Sequence, residues 1–398
     1  VEPLKVCHFA TLTRWGGVER MLVDLLLCAK QEQVQHVLVT TSSDPEIVKI
    51  VRKSNVQWYQ PTGRFRYDPG KFWHMARWLR AQDIQLVHSY NAFANAWANL
   101  TTILASKPIL LTGEHGTIWN VHPPMAWLDR WAHQRARLVI ANSQASSRLL
   151  TLRYGISADK IRVVYNAVAD IPPADIRHVR AQLGIDDKTL VVGSIGRLDT
   201  PKDYGILIDA AAIVLKTRQD VVFVLIGGGP LEDELRSYID GLGIETHFLM
   251  TGWRADARVL MQGFDIFVST SLRESFGNVL IEAALCKKPV IAPAIDGVPE
   301  AVIHGQTGVL LRPTRHPRQY RSPGAAPLPK HVLIEKELQP PKSLDPEMLA
   351  EAILDLLDNP QLRLHYGQQA KERAKLLFSM DRYVHELEQI YLEVVQKG

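Results

Sequence analysis

Two glutamates eight residues apart, Glu274 and Glu282, bracket the start of an apolar run that opens Ser275-Phe276-Gly277-Asn278. A helix beginning at about Phe276 would leave the amides of Phe276, Gly277 and Asn278 without intrahelical partners. Such amides bind anions, with the helix dipole assisting. Glu282 would then lie about two turns further along, so the two carboxylates would meet different parts of one extended ligand. A sugar–diphosphate–ribose chain has that form. A capped helix with a surface glutamate is the plainer alternative.

A second segment, Gly196-Arg197-Leu198-Asp199-Thr200-Pro201-Lys202, follows an apolar strand-like run and puts two cations on one loop. Arg offers a planar fork and Lys a point charge, a natural pair for a diphosphate. The run Gly227-Gly228-Gly229-Pro230 ends another strand-like stretch, and such glycines permit close backbone approach to a ligand. In the first half, Trp15-Gly16-Gly17-Val18-Glu19 opens a helix-like segment, and Glu114-His115-Gly116 follows a buried strand pattern. A lone histidine is more often structural, but this one stands where a cleft residue belongs. The spacing of Gly16 and Gly17 is not that of a dinucleotide fingerprint. Neither a phosphate-binding P-loop, a zinc HExxH nor a Ser–His–Asp arrangement is present.

These loops must be held by strands and helices, and the chain supplies them in alternation. Short apolar runs at residues 4–10, 36–40, 84–88, 109–112 and 138–141 alternate with helical spacing, as at Val18, Met21, Leu22, Leu25 and Leu26. After a linker-like stretch at 166–173 a second series begins. Strands are expected at 190–195, 221–226, 248–251, 266–269 and 289–292, with helices at 204–216, 231–242 and 276–286. Alternation of this kind implies parallel sheets covered by helices. The expected fold class is α/β: two tandem Rossmann-like doubly wound domains, with ligand in the cleft beyond the strand ends. Residues 1–168 form the first domain, 169–378 the second, and 379–398 a helix returning to the first.

The 398 residues suit two cores. A hydrophobic content of 46% and charged content of 22% fit a folded globular chain, and a net charge of +4 gives no argument for nucleic acid. Cys7, Cys28 and Cys286 lack metal or CxxC spacing and read as buried free thiols, suiting a reducing compartment. No run is long and apolar enough to span a bilayer, and the start lacks a leader pattern.

Two stretches stand apart. Between Arg312 and Lys342 the chain is rich in Pro and Arg, with Arg312, Arg315, Arg318, Arg321 and Lys330 before any acid. It reads either as a mobile solvated loop or as a contact for an anionic acceptor or membrane. Basic and aromatic residues also interleave in Arg64-Phe65-Arg66-Tyr67 and at Lys71, Phe72, Trp73, Arg77, Trp78 and Arg80. That is an interfacial pattern, although Phe72, Met75, Ala76 and Leu79 equally form a core-facing stripe.

Taken together, Gly16-Gly17-Val18-Glu19, His115, Ala141-Asn142-Ser143, Val164-Tyr165-Asn166-Ala167-Val168, Gly196-Arg197 with Lys202, Gly227-Gly228-Gly229-Pro230 and the E-x7-E pair resemble a known family. It is the retaining glycosyltransferases of GT-B fold, family 4 or the glycogen-synthase-like group, and the resemblance covers nearly the whole chain. It implies a nucleotide-sugar donor, UDP-sugar favoured, and neither metal nor cofactor, because cations and helix dipoles stabilise the leaving diphosphate. On this resemblance Arg197 and Lys202 hold the diphosphate, Glu282 the ribose and Glu274 the donor sugar. The Ser275-Phe276-Gly277-Asn278 turn cradles the distal phosphate, with Gly16, Gly17, Gly196 and Gly228 close to the donor. His115 touches the sugar near its reacting carbon. Acceptor contacts are expected from Trp15, Glu19, Trp119 and Asn120.

The acceptor implied is a saccharide or lipid-linked saccharide in lipopolysaccharide, O-antigen or other surface-polysaccharide assembly. The implied setting is cytoplasmic, with peripheral contact at the inner membrane face. A nucleotide-sugar epimerase of the same architecture and a non-catalytic nucleotide-sugar-binding protein are the alternatives. The long segment 312–342 departs from the family, in which a short loop stands at that place.

Overall fold

The computed structural model describes residues 2–13, 16–54, 56–62, 68–116 and 122–397. Two compact units divide the chain: Val1–Ala169 with Phe378–Gly398, and Asp170–Leu377.

In the N-terminal unit seven strands make one sheet: β1 (Leu4–Leu12), β2 (Val34–Ser43), β3 (Gln57–Tyr59), β4 (Leu86–Ser89), β5 (Ile109–Glu114), β6 (Leu138–Ala141) and β7 (Ile161–Val163). Their order is β3-β2-β1-β4-β5-β6-β7, and every pairing is parallel. β1 is buried along nearly its whole length, as a central strand covered on both faces must be. The helix Met380–Gln396 belongs to this unit and buries Met380, Tyr383, Leu387, Ile390 and Tyr391 in the same cluster as Met21, Leu22 and Leu25 of the helix Gly17–Cys28.

In the C-terminal unit six strands form a second parallel sheet: β8 (Leu190–Ile195), β9 (Val221–Ile226), β10 (Phe248–Gly252), β11 (Ile266–Val268), β12 (Val290–Pro293) and β13 (Gly308–Leu311). Their order is β10-β9-β8-β11-β12-β13. Both sheets reverse strand order once, at β1/β4 and at β8/β11. At such switch points the loops after neighbouring strands diverge and leave a crevice at the carboxyl ends.

Some elements differ from expectation. The helix expected from Phe276 is Asn278–Leu285, because Gly277 takes a left-handed φ of 90° and acts as its N-cap. The helix expected over 379–398 is Met380–Gln396, capped by the Ser379 side chain just after the helix Pro360–Leu377 stops. The thiol of Cys28 is exposed, not buried, because Cys28 is the last residue of its helix, whereas Cys7 lies in the core. Segment 312–342 is ordered. It contains an antiparallel hairpin, β14 (Val332–Ile334) with β15 (Glu337–Gln339), and Arg315 bridges to Ser343.

Candidate active site

The β8/β11 switch point gathers most of the sequence-derived candidates. After β8 the chain passes Gly196 and Arg197 into a tight turn, Thr200–Lys202. After β11 it runs through residues 269–273 to Glu274. The two loops are stitched together: Leu272 donates its amide to the Pro201 carbonyl at 2.9 Å, and the Thr270 hydroxyl donates to the Lys202 carbonyl at 2.8 Å. Lys202 and Glu274 therefore meet, Nζ to Oε2 at 2.7 Å. Arg197 pairs with Asp199 at 2.8 Å, and its guanidinium is 48% exposed while Asp199 is buried. Glu282 pairs with Arg258, Nε to Oε1 at 2.7 Å.

Each cation of the cluster thus rests on a carboxylate. An incoming diphosphate would compete with Asp199 for Arg197 and with Glu274 for Lys202, exchanging one charge-assisted partner for another. Glu274 and Glu282 engage different cations, so they can meet different parts of a ligand. With the helix start moved to Asn278, the first-turn amides are those of residues 278–280, and that of Leu280 already bonds the Gly277 carbonyl at 2.9 Å. The helix start, expected at about Phe276 with free amides at Phe276, Gly277 and Asn278, thus lies two residues further on. The cause is the left-handed turn at Gly277.

The glycine run after β9 has two separate duties. A Cβ on Gly227 would collide with the Gly196 carbonyl, and one on Gly229 with the Leu198 carbonyl. Those two glycines let the β8 and β9 loops interlock, and ligand access does not explain them. Gly228 differs: the nearest atom to a Cβ there is the Cβ of Trp253, at 3.4 Å. Trp253 follows β10 and is 66% exposed. Beneath Glu274 lies Asp296, whose Oδ2 accepts the Glu274 amide at 3.1 Å. Burial pushes the Asp296 carboxyl up to about 7, against two backbone hydrogen bonds and Arg273 that favour its charge.

In the N-terminal unit His115 follows β5 and is nearly buried. Its Nδ1 lies 3.1 Å from Asn166 Oδ1, and its ring stacks on Tyr90 at 5.6 Å. Burial lowers its pKa to about 4, with the Asn166 contact opposing, so the imidazole is neutral at neutral pH. An amide oxygen only accepts, so Nδ1 carries the proton and Nε2 is the acceptor nitrogen. The adjacent Glu114 accepts the Gly116 amide at 2.6 Å, fixing the turn that carries His115.

Gly16 caps the helix Gly17–Cys28 in extended backbone, and a Cβ there would come within 2.5 Å of a Glu19 carboxylate oxygen. Glu19 thus leans over the helix start where Gly16 and Gly17 were expected to meet donor phosphate. Trp15, Trp119 and Asn120 lie outside the described residues, as do Arg64, Phe65, Arg66 and Tyr67. Phe72, Met75, Ala76 and Leu79 pack inward, and Trp73 is half exposed with Arg77 over its ring at 5.5 Å.

Among the described residues one group has the make-up of a metal site: Glu114, Asp129 and His133, all buried, with ligand atoms within 4.8 Å of one another. Protein hydrogen bonds already engage it. Asp129 accepts from Asn95 at 2.8 Å and from Tyr154 at 3.1 Å, and His133 Nδ1 lies 2.8 Å from the Thr112 hydroxyl. Sequence reasoning missed Arg258, Asp296 and Trp253. None lies in a recognisable motif, and only the fold brings them to the cluster.

Comparison with known proteins bears on the fold and the family. The family model described as "Glycosyltransferase Family 4" matches residues 15–170, and "Glycosyl transferases group 1" matches 175–320. An alpha-D-kanosaminyltransferase of Streptomyces kanamyceticus is 24% identical over 283 residues, 69% of this chain and 65% of that protein. A D-inositol 3-phosphate glycosyltransferase of Mycobacterium sp. (strain KMS) is 34% identical over 183 residues, 44% of this chain and 40% of that protein. The chain thus spans less than two thirds of these relatives' length. Among solved structures, Anabaena HepE in complex with UDP and glucose superposes with a TM-score of 0.79 at 24% identity, covering 98% of this chain and all of that one. WaaG, a glycosyltransferase involved in lipopolysaccharide biosynthesis, gives 0.67 at 14% identity, covering 98% of this chain and 99% of that one. At these identities the likeness is one of fold.

Proposed function

The chain belongs to the GT-B-fold glycosyltransferases, and from that premise we propose that it moves a sugar from a nucleotide-diphosphate sugar to a saccharide or lipid-linked saccharide acceptor. The observation that carries this reading is the pairing at the β8/β11 switch point. There Arg197 and Lys202, on one loop, are each held by a carboxylate that a diphosphate can displace. Leaving-group charge grows on the diphosphate as the glycosidic bond breaks, and two fixed cations stabilise it most at that moment. Freed from Lys202, Glu274 turns to the donor sugar, and Glu282 on Arg258 holds ribose hydroxyls. Trp253 beside Gly228 offers the base an aromatic face. His115, a neutral imidazole with Nε2 as acceptor, hydrogen-bonds a sugar hydroxyl.

A UDP-sugar is favoured because HepE was solved with UDP and glucose. Assembly of a surface polysaccharide is favoured because WaaG serves lipopolysaccharide biosynthesis. None of the described helices is long and apolar enough to cross a membrane. Peripheral contact with a lipid-linked acceptor at the inner membrane face is part of this reading, with Trp73 and Arg77 as the first residues to test.

The test is a thermal-shift screen of UDP-, GDP- and ADP-sugars, followed by product analysis with and without saccharide acceptors. A true donor raises the melting temperature by mass action and is consumed only when acceptor is present. Conversion of the donor's sugar in the absence of acceptor would instead identify an epimerase. Binding without either reaction would leave a carrier.

A further inference from the structure

Segment 312–342 invites a membrane or an anionic acceptor by its charge, but three of its cations are paired within the domain. Arg312 pairs with Glu335 at 3.3 Å, and Arg315 pairs with Asp345 at 2.5 Å and Glu347 at 3.6 Å. Arg318 pairs with Asp209 at 3.0 Å while its guanidinium lies 4.1 Å from the centre of the Tyr238 ring. Glu234 accepts the amides of Arg321 and Ser322 and the Ser322 hydroxyl. The segment is thereby fastened along two helices of its own domain, Tyr204–Val214 and Glu232–Leu242.

Fastened in this way, it reaches three carboxylates, each next to a residue of the donor cluster. Asp203 follows Lys202 directly and holds a left-handed φ of 49°, a backbone state uncommon outside glycine that aspartate adopts more readily than most residues. Tyr320 holds the Asp203 side chain there. Its hydroxyl donates to Asp203 Oδ1 at 3.0 Å and accepts the Gly205 amide at 2.9 Å, and Ser343 bonds the other oxygen. Asp199, the partner of Arg197, takes the Ala326 amide on Oδ1 at 2.7 Å. Asp296, which receives the Glu274 amide, takes the Leu333 amide on Oδ1 at 2.8 Å and returns its own amide to the Leu333 carbonyl at 2.8 Å.

We propose that segment 312–342 is a brace for the donor site, in which Tyr320, the Ala326 amide and the Leu333 amide are positioning groups for Lys202, Arg197 and Glu274. It acts by holding three loops, each through a buried aspartate, in the geometry that accepts a diphosphate. A loop serving only to contact an acceptor has no need of three hydrogen-bonded aspartates under the site. The proposal rests on the donor-site reading given above, and the test separates the two.

Wild type and the variants R197A, K202A, Y320F, A326P, R312A and Y320F/K202A are titrated calorimetrically with UDP, GDP and ADP, after melting curves have shown that each is folded. Y320F removes one hydroxyl, and A326P removes one N–H. Each is expected to weaken binding of the preferred nucleotide about three- to tenfold, the worth of one or two hydrogen bonds. Each is also expected to raise the donor KM while leaving kcat within about twofold. R312A, on the outer Glu335 pair, leaves affinity unchanged. In the K202A background Y320F adds nothing further, because its effect runs through Lys202. Wild-type affinity in Y320F and A326P alongside a loss in R197A and K202A overturns the brace and keeps the donor site. So does a full additional loss from Y320F in K202A, which marks a general structural effect. Nucleotide affinity unmoved by R197A and K202A removes the donor site, and the brace with it.

Discussion

The two domains share one architecture and equip it in opposite ways. Around the β8/β11 switch point the polar groups are charged and paired: Arg197 with Asp199, Lys202 with Glu274, Arg258 with Glu282. Behind β1 and β4 of the N-terminal domain they are buried rings, with the Glu388 carboxylate 3.1 Å from His36 Nε2 at one end. His8 Nε2 lies 2.7 Å from His36 Nδ1, and His8 Nδ1 lies 2.6 Å from the Tyr90 hydroxyl. His88 Nδ1 lies 2.7 Å from the Tyr391 hydroxyl. Charged pairs near a surface can change partners when an anion arrives. The buried rings are engaged with one another, and Tyr90 stacks on the His115 ring. On the reading proposed above, one domain receives charge and the other presents a fixed surface.

The sharpest way to break this contrast is to remove one charge at a time from the C-terminal cluster. R197A is expected to lower transfer by about 100- to 1000-fold, the usual loss for one donor to a developing anion, and to weaken UDP binding as well. E274Q is expected to lower transfer by a similar factor while leaving UDP affinity equal to wild type or slightly higher, because Lys202 loses its competing carboxylate. Calorimetry with UDP beside initial rates separates the two. Full activity in E274Q would return the Lys202–Glu274 pair to a purely structural role.

Acidification should act on the two domains with opposite sign. In the N-terminal domain burial lowers His88 to about 3 and His115 to about 4, and it lowers His8 well below its ordinary value, with His36 and His88 adding to the effect. Groups depressed on folding stabilise fully above their unfolded pKa near 6.5, and that stability is lost as pH falls toward the folded values. Each histidine contributes at most roughly 1.4 kcal/mol per pH unit over that window. In the C-terminal domain burial raises Asp203 to about 6 and Asp296 to about 7. Their contribution is fully present below the unfolded value of 3.8 and is lost as pH rises through 6 and 7. Between pH 7 and 5 the first domain therefore weakens while the second gains. Trp253 is the sole tryptophan of the C-terminal unit. In W253F, tryptophan fluorescence thus reports the N-terminal domain alone, and its melting temperature should fall across this range. Hydrogen exchange of C-terminal peptides, corrected for intrinsic rates, should slow. A shared direction in both probes would refute the contrast.

The same contrast explains what could be read from the residues. Strand runs such as Leu190–Ile195 and Val221–Ile226 were legible because a buried parallel strand is a continuous apolar run bounded by turns. Arg197, Lys202, Glu274 and Glu282 stood out because charged residues at strand ends have few structural reasons to be there. Arg258 and Asp296 did not, since their partners lie 24 and 22 residues away and only the fold brings them together. The roles of Gly227 and Gly229 depend on the neighbouring loop's carbonyls, which local spacing cannot show. The order of segment 312–342 was hidden for a related reason. Its cations lie close together in the chain, whereas the acids that pair with Arg318 and Arg315, Asp209 and Asp345, come from other elements.

The smallest expected effect tests the buried-ring side of the comparison. Tyr391 is fully buried on the C-terminal helix, and its hydroxyl bonds His88 and interacts with Tyr90. Y391F keeps the ring and its packing but strips a buried imidazole of its partner, at a cost of about 1–3 kcal/mol. The loss should appear as an earlier urea midpoint of the N-terminal domain in the W253F background, with an unchanged slope. UDP affinity of the single variant Y391F, with Trp253 in place, should stay at its wild-type value, because no charged pair of the C-terminal cluster is disturbed. A shift in UDP affinity without the stability loss would mean that the histidine–tyrosine network serves the donor site and not the scaffold, and the division of labour between the two domains would fail.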